Sequence, residues 1–312
     1  MNPHFDRYPL IFNPYARSER GKRALQFIMA EAPRFAIYAT KGAEEAERLA
    51  RHFAEEETPV VVAAGGDGTL NPVVRGLLGS RTALGVLPTG TMNVFAREMG
   101  IQPDQLSRAL AVIDENNRVE VDIFNMNGTP FLQMAGVGFD AQVIEETTWE
   151  SKKLLGPLAY LLSAVKVLGE TPAPMRVICD DGREVEGVCL LVGNGSLYGG
   201  QFRLFKEASN SDQLLDVVVF KESGYRFVME SLRGLARGGV TMDDACESIE
   251  YVQASGFRVE CEEEVPVEVD GELWGRSREV VFERGAATLG VMAPNEPMKN
   301  GWLEMLRVLR PW

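Results

Sequence analysis

The stretch Val60-Val61-Val62-Ala63-Ala64-Gly65-Gly66-Asp67-Gly68-Thr69-Leu70-Asn71-Pro72 constrains this chain more than any other. Its apolar opening reads as a strand buried on both faces, the kind found inside a parallel sheet. The strand runs directly into a glycine-rich turn, and helix is expected immediately after it, with Asn71 as cap and Pro72 in the first helical position. Glycines let the backbone approach a bound group closely, while a helix N-terminus offers free N–H groups and a partial positive charge. Together these make a phosphate-binding loop. Asp67 would repel phosphate unless a cation intervenes, which points to Mg2+ nearby. The loop is not of the G-x4-G-K-[ST] kind, which occurs nowhere in the chain.

Three other short apolar runs surround this strand, at Tyr8–Phe12, Arg34–Ala39 and Ala83–Leu87. Between Arg34–Ala39 and the Val60 strand, Ala46, Leu49, Ala50, Phe53 and Ala54 recur at helical spacing, with Glu44, Glu45, Glu47 and Arg51 on the opposite face. Strands alternating with amphipathic helices indicate βαβ units, whose ligands bind beyond the carboxyl ends of the strands. A second glycine turn, Pro88-Thr89-Gly90-Thr91-Met92-Asn93, follows the next strand and should lie beside the first. After about residue 122 the pattern changes. Asn127-Gly128, Asp181-Gly182 and Asp270-Gly271 each separate apolar runs and read as two-residue hairpin turns. The later chain is therefore expected to be antiparallel β, apart from helical stretches around 154–168 and from Tyr225 to about Ala236. The tail Trp302–Trp312 reads as a short amphipathic helix.

A length of 312 residues exceeds what one core usually fills, so two domains are expected. We divide the chain into an α/β domain at 1–122, a β-sandwich domain at 123–286 and a segment at 287–312 returning to the first domain. A net charge of −13 argues against nucleic-acid binding, which relies on Lys and Arg against phosphate, and against general attraction to anionic membranes. The cysteines Cys179, Cys189, Cys246 and Cys261 have no CxxC spacing, as suits a reducing compartment. The N-terminus lacks a signal-peptide pattern, and Leu154–Leu168 falls short of a membrane span, so a cytoplasmic protein is expected. His4 and His52 stand without partner motifs. The basic cluster Arg17, Arg20, Lys22 and Arg23 reads equally as a phosphate contact or a helix face.

Taken together, Asn13-Pro14, Thr40, Gly65–Thr69 and Gly90-Thr91-Met92-Asn93 resemble the catalytic domain of the bacterial diacylglycerol kinases. The likeness extends through Lys153, Gly156 and Tyr160, then Asn194-Gly195, Gly199-Gly200, Ser211–Asp216 and Val269-Asp270-Gly271-Glu272. The resemblance implies a parallel-sheet nucleotide-binding domain, also of the NAD-kinase type, followed by an antiparallel β-sandwich, with the active site between them. It implies that Asn13, Thr40, Gly65, Gly66, Asp67, Gly68, Thr69, Asn71, Thr91 and Asn93 line an ATP site. It further implies that Asp270, which alone would read as a type I′ turn residue, is the catalytic base. Ser211, Leu214 and Asp216 correspond to a structural Mg2+ loop. The chain departs from the family pattern at Ser211, at Gln213 in place of Gly, at Pro72 in place of Glu and at Val94 in place of Asp. The implied activity is ATP- and Mg2+-dependent phosphorylation of a lipid hydroxyl by a protein peripheral to the membrane, with a homodimer compatible. An NAD-kinase-like enzyme with a soluble substrate, or a non-catalytic nucleotide or lipid binder, are the alternatives.

Overall fold

The computed structural model of the chain describes residues 7–14, 19–138, 141–142, 172–200, 202–222, 238–244 and 248–295. The helices expected at 154–168, Tyr225–Ala236 and Trp302–Trp312 lie outside them, as do Lys153, Gly156, Tyr160 and Cys246.

The first part of the chain alternates strand and helix. It runs through β1 (Tyr8–Phe12), α1 (Glu19–Ala30), β2 (Phe35–Ala39), α2 (Ala43–Glu55), β3 (Val60–Gly65), α3 (Asp67–Leu77), β4 (Ala83–Pro88), α4 (Val94–Glu98), α5 (Leu106–Glu115) and β5 (Arg118–Val121). Then come β6 (Phe124–Met126), β7 (Thr129–Phe131), β8 (Met134–Val137), β9 (Met175–Cys179), β10 (Glu184–Gly187), β11 (Cys189–Gly193), β12 (Leu197–Tyr198) and β13 (Phe202–Arg203). The last strands are β14 (Leu215–Phe220), β15 (Ile249–Ala254), β16 (Phe257–Val269), β17 (Glu272–Arg284) and β18 (Leu289–Met292).

The first sheet has the order β2-β1-β3-β4-β18-β5. Its members are parallel except β5, which runs antiparallel to β18. Because β1 is flanked by β2 on one side and β3 on the other, the winding reverses there, and the crevice at that reversal is where open α/β sheets bind ligands. Val61, Val62, Ala63 and Ala64 are completely buried, as a central strand covered on both faces requires.

The second sheet is antiparallel, with ten strands along the path β15-β14-β11-β8-β16-β17-β6-β7 and β9–β10 attached to β16. Strand β16 keeps β17 on one side and pairs on the other with β9 along its first half and with β8 along its second. A bulge between Glu260 and Val265 bends it between the two. Alternate residues of β11 and β14 enter two different cores. Leu190, Val192, Val217 and Val219 face one of them, and Leu191, Val218 and Phe220 face the other.

Two local expectations are corrected. Helix α3 begins at Asp67 with Gly66 as its cap, four residues before Asn71, and Pro72 lies inside it. The Gly66 carbonyl accepts from the N–H groups of both Thr69 and Leu70, so the first turn is built by the glycine loop itself. Pro72, the sixth residue of the helix, has no N–H to donate to the carbonyl four residues back, so one helical hydrogen bond is missing there. The Asp181-Gly182 connection is also one residue longer than a two-residue turn. Cys179 and Arg183 are the paired residues, and Asp181 accepts the Arg183 N–H at 3.0 Å. Only Gly182 adopts positive φ, whereas Asn127-Gly128 and Asp270-Gly271 have it at both positions, as type I′ turns demand.

Candidate active site

The residues expected at the nucleotide site line up along one edge of the first sheet. Asn13 follows β1, Thr40 follows β2, the Gly65–Thr69 loop follows β3, and Thr91 and Asn93 follow β4. The two glycine loops touch backbone to backbone. A Cβ on Gly90 would stand 2.3 Å from the Gly66 Cα, so neither loop could keep its place with a side chain there. Two of the expected residues work within the protein. Thr40 is buried, with its hydroxyl turned to the Phe12 carbonyl at 3.4 Å. Asn93 is fully buried at φ 51°, and its carboxamide closes the second loop by accepting from Gly90 N at 2.9 Å and donating to Gly90 O at 2.7 Å.

Asp67 opens α3 and turns its carboxylate toward α4, accepting the Phe95 N–H at 3.3 Å. Burial pushes its pKa up, opposed by the backbone N–H groups of Val94, Phe95 and Asn93. Asn71 lies one turn further on and lines the same cleft, together with Gln133, Met134 and Asp270.

Asp270 arrives from the second sheet at the tip of the β16–β17 hairpin, and it is buried rather than exposed as a turn residue would be. Its Oδ2 accepts from Leu132 N at 2.9 Å, and its Oδ1 accepts from Gln133 N at 2.9 Å and Met134 N at 3.2 Å. These donors favour the carboxylate, yet desolvation outweighs them and, with the nearby charge of Asp67, holds the pKa up at about 6. Glu268 steadies the turn by accepting the Gly271 N–H at 2.8 Å. Glu272, next in the hairpin, reaches the glycine loop, with its Oε1 2.6 Å from where a Gly68 Cβ would be.

Several supporting residues escaped sequence reasoning. Asn194 donates to the carbonyls of Asp122 and Leu132, at 2.8 and 2.7 Å, and so fixes the segment whose N–H groups hold Asp270. Its place in the Asn194-Gly195 pair was the available signal. Glu98 ends α4 and accepts from Ser196, Leu197 and Gln133 of the second part of the chain. A glutamate at the end of a short helix reads as surface, so nothing marked it. Val94 packs with Met134 and Leu197. An apolar contact thus stands where the resemblance expected a carboxylate.

The expected metal loop runs from Ser211 to Asp216, just before and into β14. Ser211 is exposed and shares a hydrogen bond with Ser209, and Leu214 is half-buried. Asp216 is fully buried, with its Oδ1 accepting from Tyr251 and Gln253, and burial raises its pKa to about 6. Gln213 is held at φ 69°, the left-handed conformation that explains a glycine there in the resembling family, and donates its N–H to Asp122 at 2.7 Å. Among the described residues no three carboxylate, histidine or cysteine side chains are gathered as a metal site would need. Asp216 is the single acid of the expected set Ser211, Leu214 and Asp216, so a cation there would rest largely on neutral oxygens. No helix among the described residues is long and apolar enough to cross a membrane.

Comparison with known proteins agrees with this architecture. Residues 7–126 match the family model of the diacylglycerol kinase catalytic domain, and residues 133–289 match that of the YegS C-terminal NAD kinase beta sandwich-like domain. A diacylglycerol kinase of Bacillus subtilis (strain 168) is 30% identical over 277 residues, covering 86% of this chain and 90% of that protein. One from Staphylococcus aureus (strain bovine RF122 / ET3-1) is 30% identical over 300 residues, covering 93% of each. A solved structure from Bacillus anthracis str. Sterne superposes with a TM-score of 0.76 at 27% identity, over 93% of this chain and 98% of that one. An Archaeoglobus fulgidus NAD kinase, solved in complex with ATP, shares the fold at a TM-score of 0.53 and 12% identity, over 97% of this chain and 100% of that one.

Proposed function

The chain belongs to the diacylglycerol kinase family, and from that premise we propose that it is an ATP-dependent lipid kinase with Asp270 as general base. The observation that carries this reading is that the buried Asp270, from one sheet, shares a single cleft with Asp67 of the glycine loop, from the other. The cleft has room for little more than a water, about 10 Å³, so a phosphate on that loop and an acceptor hydroxyl beside Asp270 would meet at its mouth. In the reaction Asp270 takes the hydroxyl proton, the freed oxygen attacks the γ-phosphorus, and the bond to the β-phosphate oxygen breaks to release ADP. A carboxylate whose pKa is raised to about 6 is ionised at neutral pH and more basic than a free aspartate, which suits this role. Its Oδ2 takes only one backbone donor and so keeps acceptor capacity for the hydroxyl. Mg2+ bound with ATP would supply charge neutralisation, and Asp67 is the acid of the glycine loop that would hold it.

A lipid acceptor is supported by the apolar residues at the junction, Met92, Val94, Met134, Leu197 and Tyr198, and by the exposed Leu273 and Trp274 just beyond Asp270. Membrane contact in this reading is peripheral. The test is transfer of label from γ-labelled Mg·ATP into vesicles containing diacylglycerol, beside a parallel reaction with NAD, resolved by thin-layer chromatography. Label in a lipid phosphomonoester is the expected result. Label in NADP alone overturns the lipid reading, and no transfer to either acceptor overturns the kinase reading.

A further inference from the structure

We propose that Glu98 is a positioning residue that sets Asp270 against Asp67 by acting through Gln133, an inference that rests on the reading of Asp270 as the base. Helix α4 joins the two acids. Near its start the Phe95 N–H donates to Asp67, and at its end Glu98 reaches the segment just before β8 and the start of β12. The Glu98 carboxylate accepts from Leu197 N at 2.8 Å, Ser196 Oγ at 3.0 Å and Gln133 Nε2 at 3.0 Å. That Gln133 is the residue whose backbone N–H holds Asp270 Oδ1 at 2.9 Å. Its side-chain nitrogen also donates to the Leu197 carbonyl at 3.0 Å. Both neighbours of that nitrogen are acceptors, which fixes the orientation of the amide, and the residue is only 2% exposed. Three hydrogen bonds, joined by α4 and by the body of Gln133, therefore link Asp67 to Asp270.

The backbone makes room for this route. A side chain on Gly195 would begin 2.6 Å from Gln133 Nε2 and 2.8 Å from the Glu98 carboxyl carbon. A single turn of helix is a short, stiff spacer, about 1.5 Å per residue, so it transmits position with little slack. Displacement of about 1 Å in a reacting group is enough to cost on the order of 10²-fold in rate. The Gln133 N–H also stabilises the ionised form of Asp270, so loosening Gln133 both shifts the base and makes it harder to ionise.

The experiment compares Glu98→Gln, Gln133→Ala, the double variant and Ser196→Ala, each with turnover, KM for ATP, melting temperature and the pH profile of kcat. Glu98→Gln should lower kcat roughly 10- to 100-fold with KM for ATP unchanged, and should move the acidic limb of the profile to higher pH. Gln133→Ala should do the same, and the double variant should be no slower than either, because both cut one route. Ser196→Ala removes a Glu98 partner off the route and should keep kcat and limb while losing some stability. If Glu98→Gln keeps the wild-type kcat and limb and only melts earlier, Glu98 merely ties the sheets together and the proposal fails. If Asp270→Asn retains full turnover and an unchanged limb, the base assignment fails instead. That result is told apart by appearing in Asp270→Asn itself.

Discussion

Replacing Asp270 with asparagine changes one oxygen into an amino group, and the geometry predicts a response that depends on pH. The asparagine oxygen can take over the two donors at Oδ1, Gln133 N and Met134 N. Its amino group then stands where Oδ2 was, 2.9 Å from the Leu132 N–H, so two donors face each other in a buried place. Leaving such a donor unsatisfied costs about 1–3 kcal/mol. Against this, the wild-type carboxylate carries a burial load of its own. A folded pKa of about 6, set against roughly 3.9 for unfolded aspartate, corresponds to about 3 kcal/mol of stability absent at neutral pH. At pH 7 the two effects nearly cancel, and the variant should melt close to the wild type. As pH falls from 6 to 4 the folded protein binds a proton the unfolded chain does not, so wild-type Asp270 recovers that stability while asparagine cannot. The variant should therefore become about 2 kcal/mol less stable relative to the wild type between pH 6 and pH 4, approaching about 3 kcal/mol below that, read by denaturant melts at each pH. Lipid phosphorylation at pH 7 should fall by about 10²–10⁴-fold, and the acidic limb near pH 6 should disappear with it. A stability difference constant from pH 4 to 7, with that limb retained, would refute the burial argument and the catalytic assignment together.

Asp216→Asn should behave oppositely at neutral pH. Its Oδ1 keeps both Tyr251 and Gln253, its Oδ2 is buried without a partner, and neutralising a carboxyl held at about 6 should stabilise by up to about 3 kcal/mol, a gain that vanishes near pH 4. If Asp216 instead ligates Mg2+, the wild type will melt higher on adding Mg2+ and the variant will not. Gly90→Ala drives a Cβ into the Gly66 backbone and should sharply lower both melting temperature and ATP affinity. Gly68→Ala meets only the movable end of Glu272 and should fold normally. Val94→Asp, although it restores the residue the family pattern has there, places a charge against Met134 and Leu197 and should cost several kcal/mol in a thermal melt.

The first sheet was legible because its central strands are short, continuous apolar runs separated by helical periodicity, so Tyr8–Phe12 and Val60–Ala64 declared themselves. The type I′ turns were legible because Asn-Gly and Asp-Gly are among the few pairs that tolerate positive φ twice. The start of α3 was not, since Asn71 and Pro72 carry capping preferences that are overridden once Gly66 has turned the chain into a helix. The burial of Asp270 was equally hidden. Turn residues are usually exposed, and only the return of Leu132–Met134 from far away in sequence encloses this one and supplies its three donors. Glu98 and Gln133 act through contacts across 35 to 137 positions of chain, and no local pattern encodes contacts of that kind.

Strand β18 lies between β4 and β5 in the first sheet, although more than 160 residues of chain separate Val121 from Leu289. During synthesis the edge of β4 is therefore left without its neighbour until the whole second sheet has emerged, a wait of roughly 10–30 s at ribosomal speeds of about 5–20 residues per second. An open, fully apolar strand edge for that long is a template for mispairing with other chains. The first sheet is thus complete only once β18 has joined it. A fragment ending after β5 should aggregate, whereas the same fragment supplied with the β18 segment as a separate peptide should be rescued.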